Sequence, residues 1–225
     1  MSIKRIFPVI GVTVLAGLLP AFGRADSFDV SLNTSSLSGS TQILAFGLND
    51  SDGSSNTISL TGFNFGAGSA IAGTQDCTLD GALSGAGCSG NLTGGVMLSD
   101  SAAEVFFDQQ FTVGSSLSFA MTTTNNFAGG APDGFAMYLC NATLSDCYSD
   151  DLSTGALLVL GLGGTPLTPS SFTLNGASAE NLPAPVVTAG TGTVPTPEPG
   201  GLLLFGLGAL VLAPWARKLR EFPAN

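Results

Sequence analysis

From residue 26 to about residue 182 the chain alternates short apolar runs with clusters of Gly, Asn, Asp and Ser. The run SFDVSLN opens this region. TQILAFGLN and NTISLTGFNFG flank NDSDGSSN, a pattern that predicts a hairpin and its turn. In the second run Ile58 and Leu60 share one face, whereas Phe63 and Phe65 lie one step out of phase across Gly62. A one-residue bulge at Gly62 would return all four to the core.

The cleanest alternation lies in EVFFDQQFTVGSSLSFAMTTT. It puts Val105, Phe107, Phe111 and Val113 on one face, and Leu117, Phe119 and Met121 after a turn at Gly114 and Ser115. GFAMYLC repeats the pattern with Phe135, Met137 and Leu139. ALLVLGL is a short, wholly apolar run, expected to be buried on both faces, and SFTLNG is expected to close the domain. No stretch here keeps a helical period and none repeats at a fixed interval. About nine or ten short strands with Gly-rich turns predict an all-β domain over residues 26–182, an antiparallel β-sandwich of jelly-roll type.

The two ends follow different rules. At the N-terminus Lys4 and Arg5 precede an apolar stretch from Ile6 to Phe22, and small residues follow. That is the layout of a helical secretory signal peptide over residues 1–25. Cleavage after Ala25 would use Gly23 and Ala25 as the small pair; cleavage after Gly23 is the alternative. Pro8, Pro20 and the polar sequence that follows argue against an uncleaved anchor. Residues 183–196, rich in Pro, Thr and Gly, read as an extended, exposed linker.

Pro197, Glu198 and Pro199 come next, then an apolar run from Gly200 to Trp215, then Arg217, Lys218 and Arg220. As a helix the apolar run would span about 24 Å, short of a hydrocarbon core of about 30 Å. Trp215 suits a membrane interface, and the cations favour a cytoplasmic end. These three parts, in this order and paired with a signal peptide, resemble the PEP-CTERM sorting signal of Gram-negative bacteria, here over residues 197–225. The resemblance implies a transmembrane helix that holds the exported chain in the inner membrane. It also implies recognition of the Pro-Glu-Pro triplet by an exosortase-type membrane protease. Delivery to the cell surface or to a biofilm and exopolysaccharide matrix would follow. A plain single-pass tail anchor is the competing reading, and it gives the triplet no role beyond extending a linker.

Charge sharpens this division. All six basic residues lie at the ends: Lys4, Arg5 and Arg24, then Arg217, Lys218 and Arg220. Fifteen of the sixteen acidic residues lie between Arg24 and Arg217, so that interval carries a net charge of −15. Its carboxylates must be solvated, hydrogen-bonded or bound to a cation. Nucleic acid is excluded as a partner by charge, and divalent cations are the natural counterions.

The chain has no His. With no cation in the domain either, Ser-His-Asp, Ser-Lys and arginine-finger chemistry are closed to it. A glycosidase-type carboxylate pair would have only Glu104, Glu180 and turn aspartates to draw on. A non-enzymatic role with no catalytic residue and no obligatory cofactor is therefore expected. Four cysteines in an exported chain predict disulfides, and the two local pairings, Cys77 with Cys88 and Cys140 with Cys147, each close a short loop. Zinc is disfavoured, with no His and no close Cys pair.

Asp50, Asp52, Gly53 and Asn56 match part of a calcium loop, making Asp50, Asp52 and Asn56 candidate Ca²⁺ ligands. However, Leu48 falls where the first ligand should be, and the closing Glu is missing. A turn favoured by Asp, Asn and Gly is the preferred reading. Asp146, Asp150 and Asp151 form a second acidic group, read as a solvated loop. PDGFAMYL, residues 132–139, is similar to a strand of L-type lectin sandwiches, and the resemblance implies a sugar-contacting Asp133. A turn feeding a core strand explains the same residues. The leading expectation is an exported surface or matrix protein; a lectin-like module binding extracellular polysaccharide is the alternative.

Overall fold

The computed structural model describes residues 24–190 apart from 81, 84–86, 101, 152, 165–166 and 174–182. The expected signal peptide up to residue 23, Glu180, the sorting triplet Pro197, Glu198 and Pro199, the apolar run and the cluster Arg217, Lys218 and Arg220 lie outside the described residues.

The described strands are β1 (Arg24–Asn33), β2 (Thr41–Asn49), β3 (Thr57–Asn64), β4 (Ser69–Ala70) and β5 (Asp76–Leu79). They continue with β6 (Ala82–Leu83), β7 (Cys88–Asn91), β8 (Gly95–Ser99), β9 (Glu104–Thr112) and β10 (Ser116–Asn125). The last are β11 (Asp133–Asn141), β12 (Leu158–Leu162), β13 (Ser170–Ser171) and β14 (Val186–Ala189). All pair antiparallel, in two sheets. One has six strands in the order β14-β1-β10-β3-β8-β7; the other has eight, β13-β12-β11-β2-β9-β5-β6, with β4 also on β9. The protein is thus all-β among its described residues, consistent with a β-sandwich.

Alternation decides what each strand buries. Phe28, Val30 and Leu32 of β1 and Leu117, Phe119 and Met121 of β10 point inward from the first sheet. Leu44, Phe46 and Leu48 of β2, Val105, Phe107 and Phe111 of β9, and Phe135, Met137 and Leu139 of β11 meet them from the second. The bulge forms as the pattern requires. Between Ala120↔Thr61 and Ser118↔Asn64 the third strand carries one extra residue, and Gly62 takes φ +67°. That conformation suits Gly and would strain other residues. Phe65 is buried and Phe63 packs against the core.

Three expectations need correction. The runs around NDSDGSSN do not form a hairpin: β2 and β3 lie in different sheets, and residues 50–56 arch across the end of the sandwich. Alternation says which face of a strand is apolar, and an arch between sheets satisfies it as well as a hairpin does. ALLVLGL is not buried on both faces. Leu158, Leu160 and Leu162 point inward, but Val159 is half-buried and Gly161 is exposed. The linker is not wholly free, since Val186–Ala189 pairs with β1 as an edge strand. Phe28 faces Ala189, and Gly190 N–H donates to Ser27 O at 2.8 Å, so the chain leaves the sheet near where it enters. Ala25 is the second residue of β1 and faces Thr124, so cleavage there would leave most of the strand.

Both local disulfides are present. Cys77 is on β5 and Cys88 on β7, so that bridge ties an edge region of one sheet to the edge of the other. Cys140–Cys147 closes the loop after β11.

Candidate functional site

The arch from residue 50 to 56 folds over the start of β11, and its side chains gather around one buried carboxylate. Asp133 is 1% exposed. Its Oδ1 accepts the N–H groups of Ser51 (2.7 Å) and Asp52 (3.2 Å). Its Oδ2 accepts Asn56 Nδ2–H (2.7 Å) and the Ser54 hydroxyl (3.2 Å). Four donors fill the four acceptor sites of the carboxylate and replace its hydration. The aspartate expected to contact sugar is therefore withdrawn from solvent and organises the arch instead.

The neighbouring acids have their own partners. Asp50 Oδ1 accepts Gly53 N–H at 2.7 Å, and Gly53 makes the turn with φ +75°. Asp52 Oδ1 accepts Ser54 N–H (2.7 Å) and its Oδ2 accepts Ala128 N–H (2.8 Å). The Ser54 side chain first, and then the backbone N–H groups of Ser54 and Ala128, hold the Asp52 carboxyl below the usual range. One oxygen each from Asp50, Asp52 and Asp133 lies within 4.8 Å of the others, a spacing that a hard cation could bridge only by displacing donors from Asp133. Asn56 joins the group as a donor. Its Oδ1, the side-chain atom it could offer a metal, accepts Asn126 N–H (2.8 Å) and the Thr124 hydroxyl (3.2 Å).

A fourth acid was not foreseen. Asp100 follows β8, is almost fully buried, and accepts Asn56 N–H on Oδ2 at 2.6 Å. Burial, with Asp133 and Asp50 nearby, pushes its carboxyl up to about 6. Nothing in a Ser-Asp-Ser sequence marks it, because the proximity arises only when the arch closes. Asp146, Asp150 and Asp151 make no comparable group among the described residues. Asp150 accepts the Thr173 hydroxyl, while Asp151 accepts those of Ser153 and Thr154.

A second feature occupies the outer face of the eight-stranded sheet. Three rows cross its strands: Asp76, Asp108, Ala45 and Tyr138; Thr78, Phe106, Gly47, Ala136 and Val159; Glu104, Asn49, Gly134 and Gly161. Asp108 faces Asp76 directly, and burial together with that neighbour pushes its carboxyl up to about 6. The Phe106 and Tyr138 rings stand 5.8 Å apart at 50°.

Asp100 and Asp108 give stability an unusual pH dependence. Each binds a proton more tightly in the folded chain than at the ordinary value of 3.8. Folding therefore takes up protons as pH falls through 6 toward 4, and the folded state gains. After allowance for solvent screening, the gain from pH 7 to about pH 4.5 is expected to be about 1–2 kcal/mol. It ends near the range where Asp52 and Asp151, held low by hydrogen bonds, begin to protonate. Thermal melts by circular dichroism should show the midpoint rising on acidification. Asp100→Asn should raise the midpoint at neutral pH and remove about half of the acid gain. A midpoint that falls steadily from neutral pH would contradict the assignment.

No known family, no curated protein and no solved structure matches the chain.

Proposed function

We propose that the chain is an exported, non-enzymatic surface or biofilm-matrix protein of a Gram-negative bacterium, sorted through a C-terminal PEP-CTERM signal. The order of Pro197, Glu198 and Pro199, the apolar run and the basic cluster carries this reading. Two features of the sandwich support it. Its two disulfides suit an oxidising compartment outside the cytoplasm. Entry through β1 and exit after β14 at one corner suit a domain tethered to a membrane through both ends until processing. The jelly-roll connection belongs to the same proposal, supported by consecutive strands β1, β2 and β3 crossing between sheets. Mass spectrometry of protein recovered from the host should find an N-terminus at Asp26 and a C-terminus near Pro197–Pro199. An intact C-terminus at Asn225 would replace the sorting signal with a plain anchor.

A second reading, a lectin-like carbohydrate-binding module, is supported by the aromatic pair on the outer sheet face and, for calcium dependence, by the spacing of Asp50, Asp52 and Asp133. A glycan array read with and without calcium separates the two readings. Glycan binding favours the module, and its absence leaves a matrix protein that acts through assembly.

A further inference from the structure

The outer face of the eight-stranded sheet bears a groove of about 230 Å³. Its floor is backbone and small side chains: Gly47 of β2, and Gly134 and Ala136 of β11. Small residues in the middle of a sheet forgo packing and β-propensity, and they often mark a close approach by something else. Here the Tyr138 ring lines the space, and the Phe106 ring meets it over Gly47. A Cβ at Gly47 would lie 3.5 Å from the Phe106 ring and 3.8 Å from the Tyr138 ring. Val159 and Thr154 complete the apolar side, and Asn49 and Glu104 stand at one end.

The charges around this groove are all of one sign. Glu104 lines it, and Glu104 and Asp151 both act on the Tyr138 hydroxyl, which burial first and these two carboxylates next push upward. The hydroxyls of Ser153 and Thr154 hold Asp151 below the usual range, so it stays ionised near neutrality. Asp108 and Asp76 stand in the row beyond, beside Ala45 and Tyr138. No Lys, Arg or His occurs in the chain from residue 25 to residue 216, so no internal cation answers these carboxylates.

We propose that this groove binds a glycan segment bearing unacetylated amino sugars, with a pyranose ring against Tyr138 and its ammonium group directed to Glu104 and Asp151. Aromatic faces attract the C–H face of a sugar ring and, more strongly, a cation. Carboxylates at the rim supply charge-assisted hydrogen bonds to an ammonium and ordinary ones to hydroxyls. A groove that crosses the neighbouring strands β2 and β11 suits an extended polymer passing across it. An acidic polysaccharide would be repelled by the same rim. The inference rests on the carbohydrate-binding reading and narrows it to one ligand charge. It uses neither Asp133 nor the arch.

The test is calorimetric titration of the full chain in detergent with a glucosamine tetramer, its N-acetylated counterpart and a tetralysine peptide, in low-salt buffer. The glucosamine tetramer is expected to bind at least about tenfold more tightly than the acetylated one. Tyr138→Ala should abolish binding. Because Tyr138 is half-buried, the exposed Glu104→Gln provides a second variant that leaves packing intact. It should weaken glucosamine binding several-fold and reduce its salt dependence. Equal binding of both tetramers, lost in Tyr138→Ala, would overturn the ammonium preference and leave the carbohydrate reading standing. Tetralysine binding as tightly, with the same dependence on Tyr138 and Glu104, would overturn the proposal in favour of a basic peptide. No binding of either sugar would overturn the proposal, and an array without hits would then remove the carbohydrate reading as well.

Discussion

Asp133→Ala is expected to cost about 2–4 kcal/mol of stability, because it removes at once the shared acceptor of four donors at the closure of the arch. Two are backbone N–H groups, of Ser51 and Asp52, and the others are the Asn56 amide and the Ser54 hydroxyl. Asn56 also receives Asn126 and Thr124 and donates its own N–H to Asp100, so its displacement would loosen the arch where it meets β8 and β10. Urea unfolding at neutral pH should show a lower midpoint with little change in slope. Asp133→Asn keeps one acceptor oxygen and should cost about half as much. The substitution also removes a carboxylate next to Asp100, so the acid gain in stability should shrink in the Asn variant. A sugar-contacting aspartate at a solvent-open site would behave in the opposite way, losing a ligand at little cost in stability. Wild-type stability in Asp133→Ala would therefore restore the lectin-type role for this residue and remove the organising one.

What the sequence disclosed follows from which forces act locally. The bulge at Gly62 was legible because two pairs of large apolar residues fell out of phase across a residue able to take positive φ. Disulfide partners were legible because short loops leave few alternatives. Sheet membership was not. Leu44, Phe46 and Leu48 need an inward face, and that requirement is met equally by a hairpin or by an arch to the facing sheet. The strand at Val186–Ala189 was hidden among Pro, Thr and Gly, and its pairing depends on the free edge that β1 offers 155 or more residues earlier in the chain. At the carboxylate cluster, Asp50 and Asp52 announced themselves by spacing, whereas Asp100 and the burial of Asp133 appear only once four chain segments converge. Three of the chain's four Asn-x-Ser/Thr sequences read plainly in the structure as turn-formers. Asn33, Asn91 and Asn141 each accept a backbone N–H two residues ahead.

Phe46→Ala is expected to be the most damaging core substitution, at about 3–5 kcal/mol. Phe46 is fully buried on β2 and its ring touches four others. Phe107 (6.4 Å) and Phe135 (6.1 Å) belong to its own sheet, while Phe63 (6.1 Å) and Phe119 (5.8 Å) reach it from the facing one. The Phe119 contact is edge-on, a favoured aromatic geometry, and the set joins the two sheets through a single side chain. Truncation would leave a cavity walled by rings that cannot collapse into it, since each is fixed by its own strand. The loss compares with a total stability of about 5–15 kcal/mol for a domain of ordinary size. Phe46→Leu keeps most of the volume and should cost less, about 1–1.5 kcal/mol. Phe63→Ala, at a half-buried position on the bulge, should also cost less than Phe46→Ala. Denaturant unfolding of the three variants would rank them. A Phe63 variant as unstable as Phe46→Ala would place the centre of the core at the bulge instead of at β2.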